Sequence, residues 1–103
     1  MKWLEIVELR ATKNRKTMLE SLLKNLFNEV GAGAQKQAIR IYSLVTVDTD
    51  FSVHLRHDSE MVETTGSPLG LQIKSALKEF GLVSHTIWRE IQDEAQISML
   101  VKW

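Results

Sequence analysis

Hydrophobic residues recur at two periods along this chain, and the order of those periods limits the fold more than any single residue does. Period two, the mark of a strand with one buried face, alternates with helical spacing in the order strand, helix, strand, strand, helix, strand. Trp3 to Ala11 opens the series, with Trp3, Val7 and Leu9 on one side and Leu4, Ile6, Glu8 and Arg10 on the other. The polar run from Thr12 to Lys16 follows. Thr17 and Glu20 have capping-box spacing, with Thr12 and Asn14 as alternative caps. Leu19, Leu22, Leu23, Leu26, Phe27 and Val30 then form one helical stripe, which Gly31 and Gly33 end.

Residues 38–47 and 51–57 alternate on either side of Asp48-Thr49-Asp50, which predicts a hairpin turning at those three polar residues. A polar loop, Asp58 to Gly66, leads to Ser67-Pro68, the signature of an N-cap and first helical residue. Leu69, Ile73, Ala76, Leu77 and Phe80 supply a second stripe, and Gly81 stops it. Val83 to Ile91 reads as a fourth strand. Ile97, Met99, Val101 and Trp103 alternate again and predict a fifth, whose pairing within or between subunits over residues 96–103 is open.

Two strand–helix–strand units predict one α+β domain over residues 1–103, the ferredoxin-like βαββαβ arrangement. Right-handed crossovers give an antiparallel sheet of order 4-1-3-2 with both helices on one face, plus the extra C-terminal strand. The covered side would receive Val7, Leu9, Ile39, Ile41, Val45, Val53, Leu55 and Ile87. The other side would carry Leu4, Ile6, Tyr42, Leu44 and Trp88 with no helix over them, too apolar to be left to water.

Composition excludes several functions. Thirteen basic and thirteen acidic side chains cancel, against a nucleic-acid partner. Cysteine is absent, which removes disulfides, thiolate nucleophiles, iron–sulfur clusters and cysteine-held zinc. The three histidines do not fall at metal-ligand spacing, so no metal and no cofactor is expected. No apolar run approaches the ~20 residues of a membrane span, and Met1 to Arg15 has no signal-peptide core; the expected location is the cytoplasm.

The stretch Leu4-Glu5-Ile6-Val7-Glu8-Leu9-Arg10, the Leu19–Val30 helix, and the last strand with its extension resemble the dimeric α+β barrel proteins, within them the antibiotic-biosynthesis-monooxygenase-like family. The resemblance implies that two open faces pack into a barrel and that a pocket forms between sheet and helices. The chain departs from the pattern in two places. Asp58 to Gly66 lacks the aromatic residues that close the pocket in family members, and strand one has no asparagine, which disfavours haem degradation.

Among side chains able to do chemistry, His54 stands out, because its parity puts it on the open face of a central strand, level with Glu8 or Arg10. A histidine held by a carboxylate can act as a general base near neutral pH, with Arg56 or Arg10 steadying an oxyanion. The plainer reading is that His54, Glu8 and Arg56 form a polar network inside a dimer interface. His85 shares parity with Val83 and Ile87 and is expected at the core edge, hydrogen-bonded; His57 is expected to face solvent. Tyr42 and Trp88 would stack on a planar ligand or fill the space between subunits. The sequence therefore points to a homodimer binding a small molecule or partner at its open face through Glu8, Arg10, Tyr42 and Trp88. The alternative is a cofactor-free monooxygenase-like enzyme acting on a small aromatic or polyketide-like substrate, with His54 and Arg56 catalytic.

Overall fold

A computed structural model describes residues 1–12, 16–31, 38–91 and 93–100. The elements run β1 (Lys2–Ala11), α1 (Lys16–Gly31), β2 (Ile39–Leu44), β3 (Val47–Asp58), α2 (Pro68–Leu77), β4 (Gly81–Arg89) and α3 (Glu94–Leu100). The four strands make one antiparallel sheet in the order β2-β3-β1-β4, the predicted arrangement. This is the ferredoxin-like α+β fold.

Alternation in the central strands builds the core. Val7 and Leu9 of β1 and Val53 and Leu55 of β3 are buried on the side that α1 and α2 cover, where they meet Leu19, Leu23, Ile73, Leu77 and Phe80. Each such side chain contributes roughly 1.5–3 kcal/mol before conformational entropy is subtracted. Ser67 caps α2 by accepting from the Gly70 amide at 3.0 Å, and Pro68 opens the helix, as their types predict.

Four local expectations need correction. The hairpin turns at Val45-Thr46, so Val45 is 97% exposed and is no core residue, and Val47 is exposed too. Leu44 pairs with Val47 and Ser43 with Phe51, so Asp48-Thr49-Asp50 is extra length bulged into β3. Asp50 uses the bulge to accept the Ala11 amide at 3.1 Å, tying β3 to the end of β1.

The predicted fifth strand is instead the short helix α3, since Asp93 accepts from the Gln96 amide at 2.8 Å and nucleates a turn. Residues 101–103 lie outside the described residues. Helix α1 already includes Lys16, so Thr17 is inside it and is not its cap; Asn14 and Gly33 lie outside the described residues. Finally, α2 ends at Leu77 and Gly81 begins β4, while Ile91 falls beyond that strand's end. No described helix is long and apolar enough to cross a membrane.

Candidate functional site

Register maps the open face as rows of side chains. Arg56, Leu4 and Trp88 form one row across β3, β1 and β4; Arg40, His54, Ile6 and Thr86 form the next; Tyr42, Ser52, Glu8 and Ser84 the third. Arg10 sits beside Leu82 at the far end. Two shallow depressions divide this face. One of about 440 Å³ is lined by Glu8, Arg10, Tyr42, Leu44 and Leu82 among others, and one of about 750 Å³ by Leu4, Arg40, Tyr42, His54, Arg56 and Trp88 among others. All six residues singled out from the sequence, Glu8, Arg10, Tyr42, His54, Arg56 and Trp88, thus border one depression or the other.

The proposed partner of His54 is different, however. Its Nε2 lies 2.8 Å from the Ser52 hydroxyl and its ring 4.7 Å from that of Tyr42. Glu8 is opposite Ser52, one row away, and Arg10 is two rows away. Among the described residues no carboxylate bonds to His54, and within one chain Glu8, His54 and Arg56 make no hydrogen bonds to one another. Trp88 is pinned by donating to the Thr86 hydroxyl at 2.8 Å.

A carboxylate held by histidines does exist, on the opposite face. Glu5 shares parity with Trp3, Val7 and Leu9, and its side chain is fully buried. It accepts four hydrogen bonds: at Oε1 from the Ser67 hydroxyl (2.6 Å) and His57 Nε2 (2.9 Å), and at Oε2 from the Ser67 amide (3.0 Å) and His85 Nε2 (2.6 Å). Burial pushes the carboxyl pKa up, but the bonds from the Ser67 hydroxyl, His57, His85 and the Ser67 amide outweigh it and hold the group below its ordinary value. An ionised carboxylate only accepts, so both rings must present Nε2–H to it, which fixes their tautomers.

The surroundings are shaped to this group. Glu5 lies at the N-terminus of α2, where free amides and the helix dipole favour negative charge. Gly66, at φ +108°, and Gly70 press against it: a Cβ on Gly70 would overlap the Glu5 carboxylate, and one on Gly66 the His85 ring. Trp3 stacks on His57, centroids 3.9 Å apart and 18° from parallel, and donates its indole N–H to the Ser59 hydroxyl at 2.9 Å.

His57 is therefore not the solvent-facing residue the sequence suggested; its side chain is 23% exposed and tied to Glu5. His85 is where parity put it, bonded at the core edge and 5% exposed. Sequence reasoning missed Glu5, although a signal was present: Glu5, His57 and His85 all carry buried-side parity, near one end of three adjacent strands. Among the described residues no group of three or more acidic or histidine side chains is arranged to hold a metal ion.

Fold and faces together define a small ferredoxin-like α+β protein with one uncovered sheet face. Its structure is similar to that of Rv0793 from Mycobacterium tuberculosis, with a TM-score of 0.65 over 91% of this chain and 99% of that one, at 16% sequence identity. At that identity the likeness is one of fold. No protein-family model and no curated protein sequence matches the chain.

Proposed function

We propose that this chain acts as a homodimer in the manner of the dimeric α+β barrel proteins, closing its open sheet face against a second copy and holding a small molecule there. The observation that carries this reading is the uncovered face itself. Tyr42, Leu44, Leu82 and Trp88 are each half-exposed or more around Leu4 and Ile6, while α1 and α2 pack on the other side. Four strands at ~4.8 Å spacing and nine residues at ~3.3 Å give a flat footprint of roughly 600 Å², before side-chain relief. That is the scale of one side of a stable interface, ~800 Å².

Charge fits a two-fold contact. Arg56 lies toward one end of the face and Glu8 and Asp50, with Arg10 beside them, toward the other, so antiparallel packing of two copies brings Arg56 near the acidic residues, each contact occurring twice. Helix α3 has no buried residue and exposes Ile97, Met99 and Leu100, which a second subunit would cover. The two depressions, rimmed by Tyr42 and Trp88, would become enclosed cavities. Enzymatic use of His54 and Arg56 is the less supported reading, because His54 rests on Ser52 and not on a carboxylate.

Light scattering at micromolar concentration tests the dimer. Twice the 11.8 kDa chain mass is expected, and Trp88→Asp should give monomer or precipitate. Clean monomer from the unmodified chain would sink the reading.

A further inference from the structure

The hairpin tip between β2 and β3 has an unusual composition for a turn in water. Two-residue hairpin loops favour asparagine, aspartate and glycine, which tolerate positive φ. Here the turn is Val45-Thr46, neither residue has positive φ, and the turn formers Asp48-Thr49-Asp50 lie in the bulge instead. Leu44 pairs with Val47, so both side chains project on the open face, and Val45 beside them is 97% exposed. The result is an apolar finger at one end of that face, which no described residue of the same chain covers. Its surroundings are acidic: Asp48 and Asp50 follow the tip and, with Glu8, outnumber Arg10. At the opposite end lies the larger depression, where Leu4 and Trp88 share a row with Arg56. Its lining is basic, since Lys2, Arg40, Arg56 and Arg89 outnumber Asp58 and Glu90.

We infer that this hairpin tip, through Leu44, Val45 and Val47, is the segment of a second copy that roofs the larger depression, so that each site is built from both chains. The inference rests on the face-to-face dimer proposed above and adds which residues meet in it. Antiparallel packing turns the two faces end for end. The tip, the outermost point of the acidic end, then reaches the basic end of the other copy. There its aliphatic side chains lie against Leu4 and Trp88, while Asp48 and Asp50 come near Arg56. Apolar surface leaves water on both chains and unlike charges approach, twice in each dimer by symmetry. Neither chain encloses the depression alone. A ligand that binds only the roofed site must therefore tighten the dimer as well.

The chain has no cysteine, so introduced thiols report the contact without background. Val45→Cys and Arg56→Cys chains, mixed and treated with a short bismaleimide, should give a cross-linked species of mixed mass. Either chain alone should give several-fold less, because antiparallel packing keeps tip from tip and Arg56 from Arg56. Both positions are exposed within one chain, so neither substitution disturbs the core, and far-UV circular dichroism checks this. Val45→Asp supplies a measurement that needs no cross-linker. Its circular dichroism should match the parent's, while sedimentation should show the dimer dissociation constant raised roughly a hundredfold, about tenfold at each of the two contacts. A dimer without an excess of the mixed cross-link, or one that tolerates Val45→Asp, overturns the inference and leaves the dimer standing. A monomeric parent chain sinks both.

Discussion

Glu5→Gln is the most informative substitution, because it keeps the shape of the buried centre and removes its charge. Four donors converge on two carboxylate oxygens. A glutamine would keep its oxygen toward the Ser67 amide and His85, since the amide N–H cannot turn away. Its NH₂ would then face the Ser67 hydroxyl and His57. The hydroxyl can rotate and His57 can change tautomer, so neither contact need be a clash. The loss is mainly one of strength: bonds to a charged acceptor are worth ~1.5–3 kcal/mol and neutral ones ~0.5–1.5.

About 1 kcal/mol lost at each of the two retained bonds, with about 1 more for rearranging the other side, gives a destabilisation of roughly 2–3 kcal/mol. Relief of the buried charge works in the other direction. The depressed pKa of Glu5 decides the sign, since it means that the fold favours the charged form over the neutral one. For a domain of this size the loss corresponds to roughly 10–20 °C in Tm.

The pH dependence sharpens the test. A carboxyl whose folded pKa lies below the unfolded value near 4.5 contributes stability that is complete above that value and is lost as pH falls through the folded one. Urea unfolding followed by far-UV circular dichroism should therefore show the full gap at pH 7, narrowing only below about pH 4.5. A variant as stable as the parent at pH 7, or a gap unchanged through acid, would refute the argument.

Other substitutions separate the parts of the fold. Gly70→Ala should destabilise by about 1–3 kcal/mol in the same unfolding assay despite alanine's better helix propensity, because its Cβ overlaps the Glu5 carboxylate. Ser67→Ala removes both the cap of α2 and a donor to Glu5, and a loss of roughly 2–3 kcal/mol is expected. His54→Ala should leave the stability almost unchanged, within ~0.5 kcal/mol, since among the described residues its one polar contact is to Ser52 on the open face. A large loss there would show that the open face carries more of the fold than its exposure indicates.

The misreadings share a cause. Asp48-Thr49-Asp50 has the composition of a turn, yet the chain reverses at Val45-Thr46 because pairing Ser43 with Phe51 lets Asp50 satisfy the Ala11 amide, 39 residues away. Local propensity yields there to a long-range bond. At the tail, Ile97 and Met99 alternate as in a strand, yet Asp93 accepts the Gln96 amide and starts a helix; seven residues are too few for either period to settle the matter. His57 looked solvent-facing because it stands at a strand end next to Asp58. Only the cross-strand register, with His57 opposite Trp3 and diagonal to Glu5, shows what it touches.

What the sequence determined by itself is the architecture. Periodicity is a local property, and four strands with matching alternation leave few ways to bury their apolar sides together. It determined as well that one face would stay uncovered, because two helical stripes can cover only one side of a four-stranded sheet. The tertiary structure alone decided where the buried polar groups meet. A glutamate, two histidines and a serine scattered from residue 5 to residue 85 become one hydrogen-bonded centre only when three strands are in register and the N-terminus of α2 is laid across them. Parity states which side of a strand each residue takes. Distance across the sheet is set by pairing, and pairing is a property of the whole fold.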